Sequence, residues 1–326
     1  MKPQRYCLIA VLGVCLVTAA GCAFAGPAVE GSFERSLTVS GPVDLDVSTG
    51  SGYIRIRSGG SSVVRVHGLI RARDDSSHRG EEKVRYLESH PPIEQTGNTL
   101  RIGRIEDRDY AHNVSISFEL EVPADTRLKG NTGSGDMTVE GIKGPVDAST
   151  GSGSISASNI EGRVKADTGS GKIVLDAING GATADTGSGD IRAGRIAGSF
   201  KADTGSGSIT LEQIAPGDVE VDAGSGDIEL NGVRGALKAS TGSGRIAVGG
   251  ELSGPWKLNA GSGGVDVHLP AESAFDLYAH TDSGSVKVDH PVTATGTFSP
   301  KEIRGKVRGG GSMLDVRTGS GNIQVR

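Results

Sequence analysis

The chain has 326 residues, a formal net charge of -5, 35% hydrophobic residues and only 4% aromatics, against 52 glycines. So few aromatics exclude one broad conventional core, and a negative balance argues against a nucleic-acid partner. Length alone allows two domains, but a repeat protein escapes that arithmetic because it grows by adding units.

Lys2 and Arg5 precede an apolar run from Tyr6 to Ala20, about 15 residues. That is short of the ~20 residues a membrane span needs and fits a signal peptide, so residues 1–25 are expected to direct export. Two cleavage readings stay open. Ala19-Ala20-Gly21-Cys22 resembles a bacterial lipobox, with alanine where leucine is usual, and cleavage before Cys22 predicts its lipidation and a membrane anchor. Ala23-Phe24-Ala25 is a small-x-small site whose cleavage frees a periplasmic or secreted protein. If Cys22 is the first residue, Ala23 beside it favours the outer membrane in a cell that has two. Cys7, Cys15 and Cys22 are the three cysteines, so the folded part is expected to hold neither a disulfide nor a thiol nucleophile.

Residues 33–127 alternate apolar and polar positions between glycine-rich turns, the pattern of successive strands. "VSTGSGYIRI" there is a first repeat-like copy. "DDSSHRGEEKVRYLESHPP" predicts one short helix, capped by Ser76 or Ser77, acidic in its first turn and stopped by Pro91 and Pro92. Strands are expected again over Thr99–Arg104 and Val114–Val122. The segment reads as a β-rich N-terminal cap.

From residue 128 to 269 the chain is periodic. Glycine-serine-glycine recurs at 133, 151, 169, 187, 205, 224, 242 and 261, in steps of 18 or 19 residues, with outlying copies at 50 and 319. Five residues before each first glycine stand Leu128, Val146, Val164, Ala182, Phe200, Val219, Leu237 and Trp256. Four residues after it stand Met137, Ile155, Ile173, Ile191, Ile209, Ile228, Ile246 and Val265, and two further on Val139, Ala157, Leu175, Ala193, Leu211, Leu230, Val248 and Val267. Every unit is thus a pair of short alternating strands. Around "KADT" the small Ala and Thr share the apolar side, so the interior is narrow.

An antiparallel meander of such units leaves a long apolar face uncovered. A β-solenoid buries that face internally, because unit n stacks on unit n+1 at ~4.8 Å and the two strand columns face each other. The expected fold is therefore all-β: a solenoid resembling a single-stranded parallel β-helix, about 18 residues per coil, some eight regular coils making a rod of roughly 40 Å. Gly133, Gly135, Gly151, Gly153, Gly169, Gly171, Gly187, Gly189, Gly205, Gly207, Gly224, Gly226, Gly242 and Gly244 become its stacked corners, required by positive φ and close approach between coils. Residues 270–326 hold modified units and a C-terminal cap, with "LDVRTGSGNIQVR" as the closing unit. Ile323 is then less supported than Ile191.

Chemistry is sparse in these units. Asp167, Asp185, Asp203 and Asp222 share a column and make a possible exposed cation- or sugar-binding strip, against the plainer reading of carboxylates capping turn amides. A calcium ladder of "GxGxD" type fares poorly: the residue after the second glycine runs Asp136, Ser154, Lys172, Asp190, Ser208, Asp227, Arg245, Gly264, and a cationic side chain cannot ligate a cation. Apolar columns are not six apart, so the hexapeptide acyltransferase pattern fails. Gly-Ser-Gly lacks the spacing of a nucleophile elbow. His268, His280 and His290 near Asp282 and Asp289 read as ordinary polar positions before they read as a metal site, and "KEIRGKVR" (301–308) reads as a solvated strand face.

"GNTGSGDMTVEGIKGPVDASTGSGSI", "NAGSGGVDVHLPAESAFDLYAHTDSGSV" and "IRGKVRGGGSMLDVRTGSGNIQVR" resemble the bacterial adhesin-like family of β-strand repeats, domain of unknown function 4097. The resemblance covers nearly all of the chain after the leader. It implies an exported β-solenoid with an adhesive or envelope role, and it offers no catalytic residues to carry over. The expectation is a non-enzymatic envelope protein without cofactor or metal, binding an unknown surface protein or glycan, and reaching the membrane through a lipid if Cys22 is modified. A carbohydrate-binding or polysaccharide-degrading β-helix, and an envelope-stress scaffold or sensor, are the alternatives.

Overall fold

In the computed structural model residues 28–60, 62–73, 79–294 and 299–326 are described. Cys22, Ser76 and Ser77 lie outside them. The described chain is all-β apart from helices α1 (Gly80–Ser89) and α2 (Arg108–Ala111), and it forms two long sheets, of fourteen and fifteen strands. Through the repeats the chain alternates between the sheets. Val164–Thr168 lies in the second sheet and pairs in parallel with Val146–Thr150 on one side and Ala182–Thr186 on the other. Ile173–Ile178 then does the same in the first sheet, between Ile155–Ile160 and Ile191–Ala197.

All three apolar columns read from the sequence point between the sheets and are buried. Each unit is too small to close a core, but every isoleucine of the Ile173 column is shared by the units above and below. Burying such a side chain is worth about 1.5–3 kcal/mol. Phe200 is buried in register with the small Ala182 on one side and Val219 on the other. Trp256 also points inward, and its indole N–H donates to the Gly235 carbonyl at 3.0 Å, so its polar atom is not orphaned. One 19-residue step places Gln213 where its neighbours bury Ile196 and Val233. Its amide donates to the carbonyls of Gly198 and Gly217 at 2.9 and 3.0 Å and accepts from the Arg234 amide. The extra residue pushes Ile214 outward, 51% exposed.

Both outlying copies of the repeat sit inside the stack. Val43–Thr49 pairs in parallel with Thr126–Thr132 on one side and Thr99–Ile102 on the other, and Ile54–Ser58 lies between Met137–Glu140 and Val114–Val122. Beyond them come antiparallel strands, Val63–Arg73 and then Ala28–Thr38 at the edge. Helix α1 turns Val84 and Leu87 inward, with Val84 against Gly31 of the edge strand. Arg79 stands at its N-cap position and its side chain makes no capping hydrogen bond, while Glu81 and Glu82 fill the first turn. The capping-serine expectation falls on residues outside the description.

The other end overturns one expectation. Residues 312–326 do not close the stack: Ser312–Ser320 pairs with Trp256–Ser262 and with Phe275–Ser283, and Ile323–Val325 lies between Val265–His268 and Val286–Val288. Sequence order and spatial order differ there, so Ile323 is flanked on both sides and only 1% exposed. Val292–Ala294 and Glu302–Val307 run antiparallel beyond, and the former is the edge of the second sheet.

Candidate functional site

The corners hold the site residues in place. A Cβ on Gly153 would stand 1.9 Å from the Gly135 carbonyl oxygen, and one on Gly171 would stand 1.7 Å from that of Gly153. The first glycine of each corner is tight as well, with Gly151 at 2.4 Å from the Gly133 oxygen. Close approach is therefore the cause of the glycine columns. Positive φ is not: of the fourteen corner glycines only Gly226 and Gly244 have it, at 149° and 153°.

A threonine column locks these corners. The hydroxyls of Thr150, Thr168, Thr186, Thr204 and Thr241 donate to the carbonyls of Gly135, Gly153, Gly171, Gly189 and Gly226 in the preceding unit, at 2.8–3.0 Å. Thr150 and Thr168 also accept from the amides of Gly153 and Gly171, each at 3.1 Å. Ala223 and Ala260 interrupt the column.

Alternation turns the residue before each threonine outward. In-register pairing then stacks Ser149, Asp167, Asp185, Asp203, Asp222 and Ser240 into a row on the second sheet. Beside it runs a row of Lys165, Thr183, Lys201, Glu220 and Lys238. Burial pushes the Asp185 carboxyl up, helped by a hydrogen bond to Asp167 and by the charges of Asp167 and Asp203. Burial, then the Asp203 charge, pushes Asp222 up too. Lys165 meets the Asp167 carboxylate at 2.9 Å, and Glu220 is held low by Lys238 and Lys201 at 2.8 and 3.3 Å.

This row does not cap turn amides. That task falls to a different column, which sequence reading weighed only as calcium ligands: Asp136, Asp190 and Asp227 accept from the amides of Ser154, Ser208 and Arg245 in the next unit, at 2.9, 3.1 and 2.8 Å. The signal was present, since an aspartate at the residue after a corner is placed to reach one unit along.

A second polar cluster joins residues distant in sequence. Tyr53 donates to Glu119 at 2.9 Å, Arg55 reaches the same carboxylate at 3.2 Å, and Glu121 lies between Arg65 at 2.9 Å and Arg57 at 3.5 Å. The Tyr53 bond is the main cause of the lowered Glu119 carboxyl, while burial raises the Tyr53 phenol. The three histidines do not converge. His280 lies 3.2 Å from Asp282 and 3.3 Å from Glu302, His290 is buried edge-on to Phe275, and His268 meets Arg326. Among the described residues no group of three or more His, Cys, Asp or Glu is placed to hold a metal ion. The basic run is partnered along its length: Arg308 meets Glu272 at 3.2 Å, Lys306 lies 4.0 Å from Asp276, Lys301 donates to the Asp282 carbonyl at 2.8 Å, and Arg304 stacks over the Tyr278 ring at 4.9 Å.

Two long, mostly parallel sheets with rows of repeated side chains define an all-β repeat protein that presents surface. The chain belongs to the Toastrack family, domain of unknown function 4097, whose profile matches residues 44–326. Solved structures align with it, among them two of bacterial origin. A candidate cell adhesion protein of Clostridium sporogenes is 10% identical, with TM-score 0.19 over 90% of this chain and 99% of that one. A candidate adhesin of Bacteroides fragilis is 13% identical, with TM-score 0.31 over 91% of this chain and 97% of that one. Scores so low carry no argument about shape or role. No curated protein matches the chain. Among the described residues no helix is long and apolar enough to cross a membrane.

Proposed function

We propose that this protein is an exported, non-enzymatic component of the cell envelope: a β-solenoid of about 18 residues per coil, closed by segments 33–127 and 270–326, whose faces bind or space other envelope components. The observation that carries this reading is the uniform outer surface. From residue 128 to 268 the units pair in parallel one to the next, with only short register shifts around Gln213 and Val233, and charged groups stand in rows along a sheet instead of gathering in a cleft. Catalysis needs a nucleophile or base held against a partner group, and a row of carboxylates facing solvent supplies neither. Rows at ~4.8 Å spacing suit a repetitive ligand or a flat partner. Asp167, Asp185, Asp203 and Asp222 are the proposed contact strip.

Anchoring through lipidated Cys22 completes the proposal, since the multiple acyl chains of a lipoprotein cysteine give stable membrane attachment. Cys22→Ala is expected to move the protein from the membrane to the soluble fraction, and a photo-crosslinking residue at Asp203 is expected to capture an envelope component that one at Thr210, on the opposite sheet, does not. An unmutated protein found soluble with Gly26 as its first residue defeats the anchor. Purified protein that shortens a cell-wall polysaccharide defeats the non-enzymatic reading.

A further inference from the structure

The unit 312–326 fills a gap between two units that are consecutive in sequence. Units 256–268 and 275–288 are joined by six residues, yet neither pairs with the other; each pairs with 312–326 instead. Fit on both sides is specific. Leu314, Val316, Ile323 and Val325 are fully buried. Thr318 donates to the Gly263 carbonyl at 2.8 Å on one side, and Thr281 donates to the Gly321 carbonyl at 2.9 Å on the other. Asn322 accepts from the Ser285 amide at 3.0 Å. Thus the corner lock seen along the regular stack runs through a unit that reaches its place from elsewhere in the chain.

How it gets there is unusual. Glu302–Val307 and Ser312–Ser320 flank Phe275–Ser283 on opposite sides, the first antiparallel and the second parallel. Four residues carry the chain around the end of that strand. Three in succession are left-handed: Arg308 at φ 46°, Gly309 at 89° and Gly310 at 91°. Arginine is strained there, having a Cβ and no local hydrogen-bonding side chain to offset it. Gly310 and Gly311 are held tight, with a Cβ 2.4 Å from the Asp276 carboxylate and 2.7 Å from the Ala274 carbonyl, respectively.

We propose that 312–326 is an exchangeable unit, and that the gap between 256–268 and 275–288 also accepts this unit from a second copy of the chain, joining two stacks at this end. Exchange keeps every contact of the unit, since donor and acceptor are the same sequence. Only the hinge changes, from a strained reversal to an extended link. A short strained hinge beside a unit that leaves as a whole is the circumstance in which swapping is favoured. The proposal does not depend on the adhesive reading, because it concerns the end of the stack and not its charged face.

The test is a hinge series in the full-length protein, refolded at high concentration and sized by light scattering. The unaltered chain is expected to give monomer and dimer that interchange only through unfolding. Removing Gly309 and Gly310 leaves too little chain to turn back and is expected to raise the dimer-to-monomer ratio at least tenfold. Arg308→Gly relieves the strain and is expected to lower that ratio several-fold, and four residues inserted after Gly309 should leave monomer alone. A two-glycine deletion that stays monomeric, with 312–326 either retained or cut away by protease, overturns the proposal. So does a dimer whose proportion is the same for every hinge.

Discussion

A single hydroxyl per unit links neighbouring corners, and its worth can be read where the column is broken. Thr168 bonds the Gly153 carbonyl and the Gly171 amide, so Thr168→Ala orphans two buried groups and is expected to cost about 1–3 kcal/mol. Ala223 already lacks that hydroxyl in an otherwise equivalent place, so Ala223→Thr is expected to stabilise by about 1 kcal/mol. Urea melts of the two variants give both values, and effects of the same sign would show that the column is not a lock. The aspartate row titrates in a direction of its own. Asp185 and Asp222 are raised in the fold above the 3.8 of a free aspartate, so the folded chain binds protons more tightly than the unfolded one. Their contribution therefore grows as pH falls through the raised values and is lost as pH rises above them. Asp185→Asn is expected to raise the melting temperature at pH 7 and to have little effect near pH 4; the reverse order would refute the ladder's repulsion. Glycine was legible at the corners from its spacing alone. Of the two causes expected, close approach holds, as between Gly135 and Gly153, whereas positive φ does not, because φ depends on how units are offset and no local pattern shows that.

At the level of the unit, apolar spacing was enough to place three columns inside, since a strand's period of two leaves no other arrangement that hides Ile155, Ile173 and Ile191 together. Gln213 was not legible as an inward residue. One extra residue in its unit shifts the alternation, and only the carbonyls of Gly198 and Gly217 explain why an amide sits there. Placement of 312–326 was also hidden, because a local pattern shows that a segment is a unit and says nothing about which units it joins. The consequence is measurable. Ile191→Asp and Ile323→Asp both set an unpaired charge between two units and are expected to cost several kcal/mol each. Val286 is half-buried and pairs on one side only, so Val286→Asp is expected to cost clearly less. Thermal melts in which Ile323→Asp behaves like Val286→Asp would put 312–326 back at the end of the stack.

Across the whole molecule, Lys172 and Arg245 break the column that a calcium roll would need, and Asp227 already spends an oxygen on the Arg245 amide. A chelator is therefore expected to leave the melting temperature unchanged, and a large drop would revive a cation-dependent fold. Identical strands stacked in parallel register are also the architecture of an amyloid fibril, in which each layer templates the next. Here one chain supplies its own layers, and growth has to stop. At both ends the parallel run gives way to antiparallel pairs, Ala28–Thr38 beside Val63–Arg73 and Val292–Ala294 beside Glu302–Val307, and the outermost strands of the second end, Val286–Val288 and Val292–Ala294, are three residues each, too short to template another layer. Even the exposed edge is partly spoken for, since Glu88 accepts from the Ser32 amide at 3.1 Å and Gln95 donates to the Thr38 carbonyl at 2.8 Å. The molecule is in this sense a fibril of fixed length, with its terminators written into the same chain as its repeats.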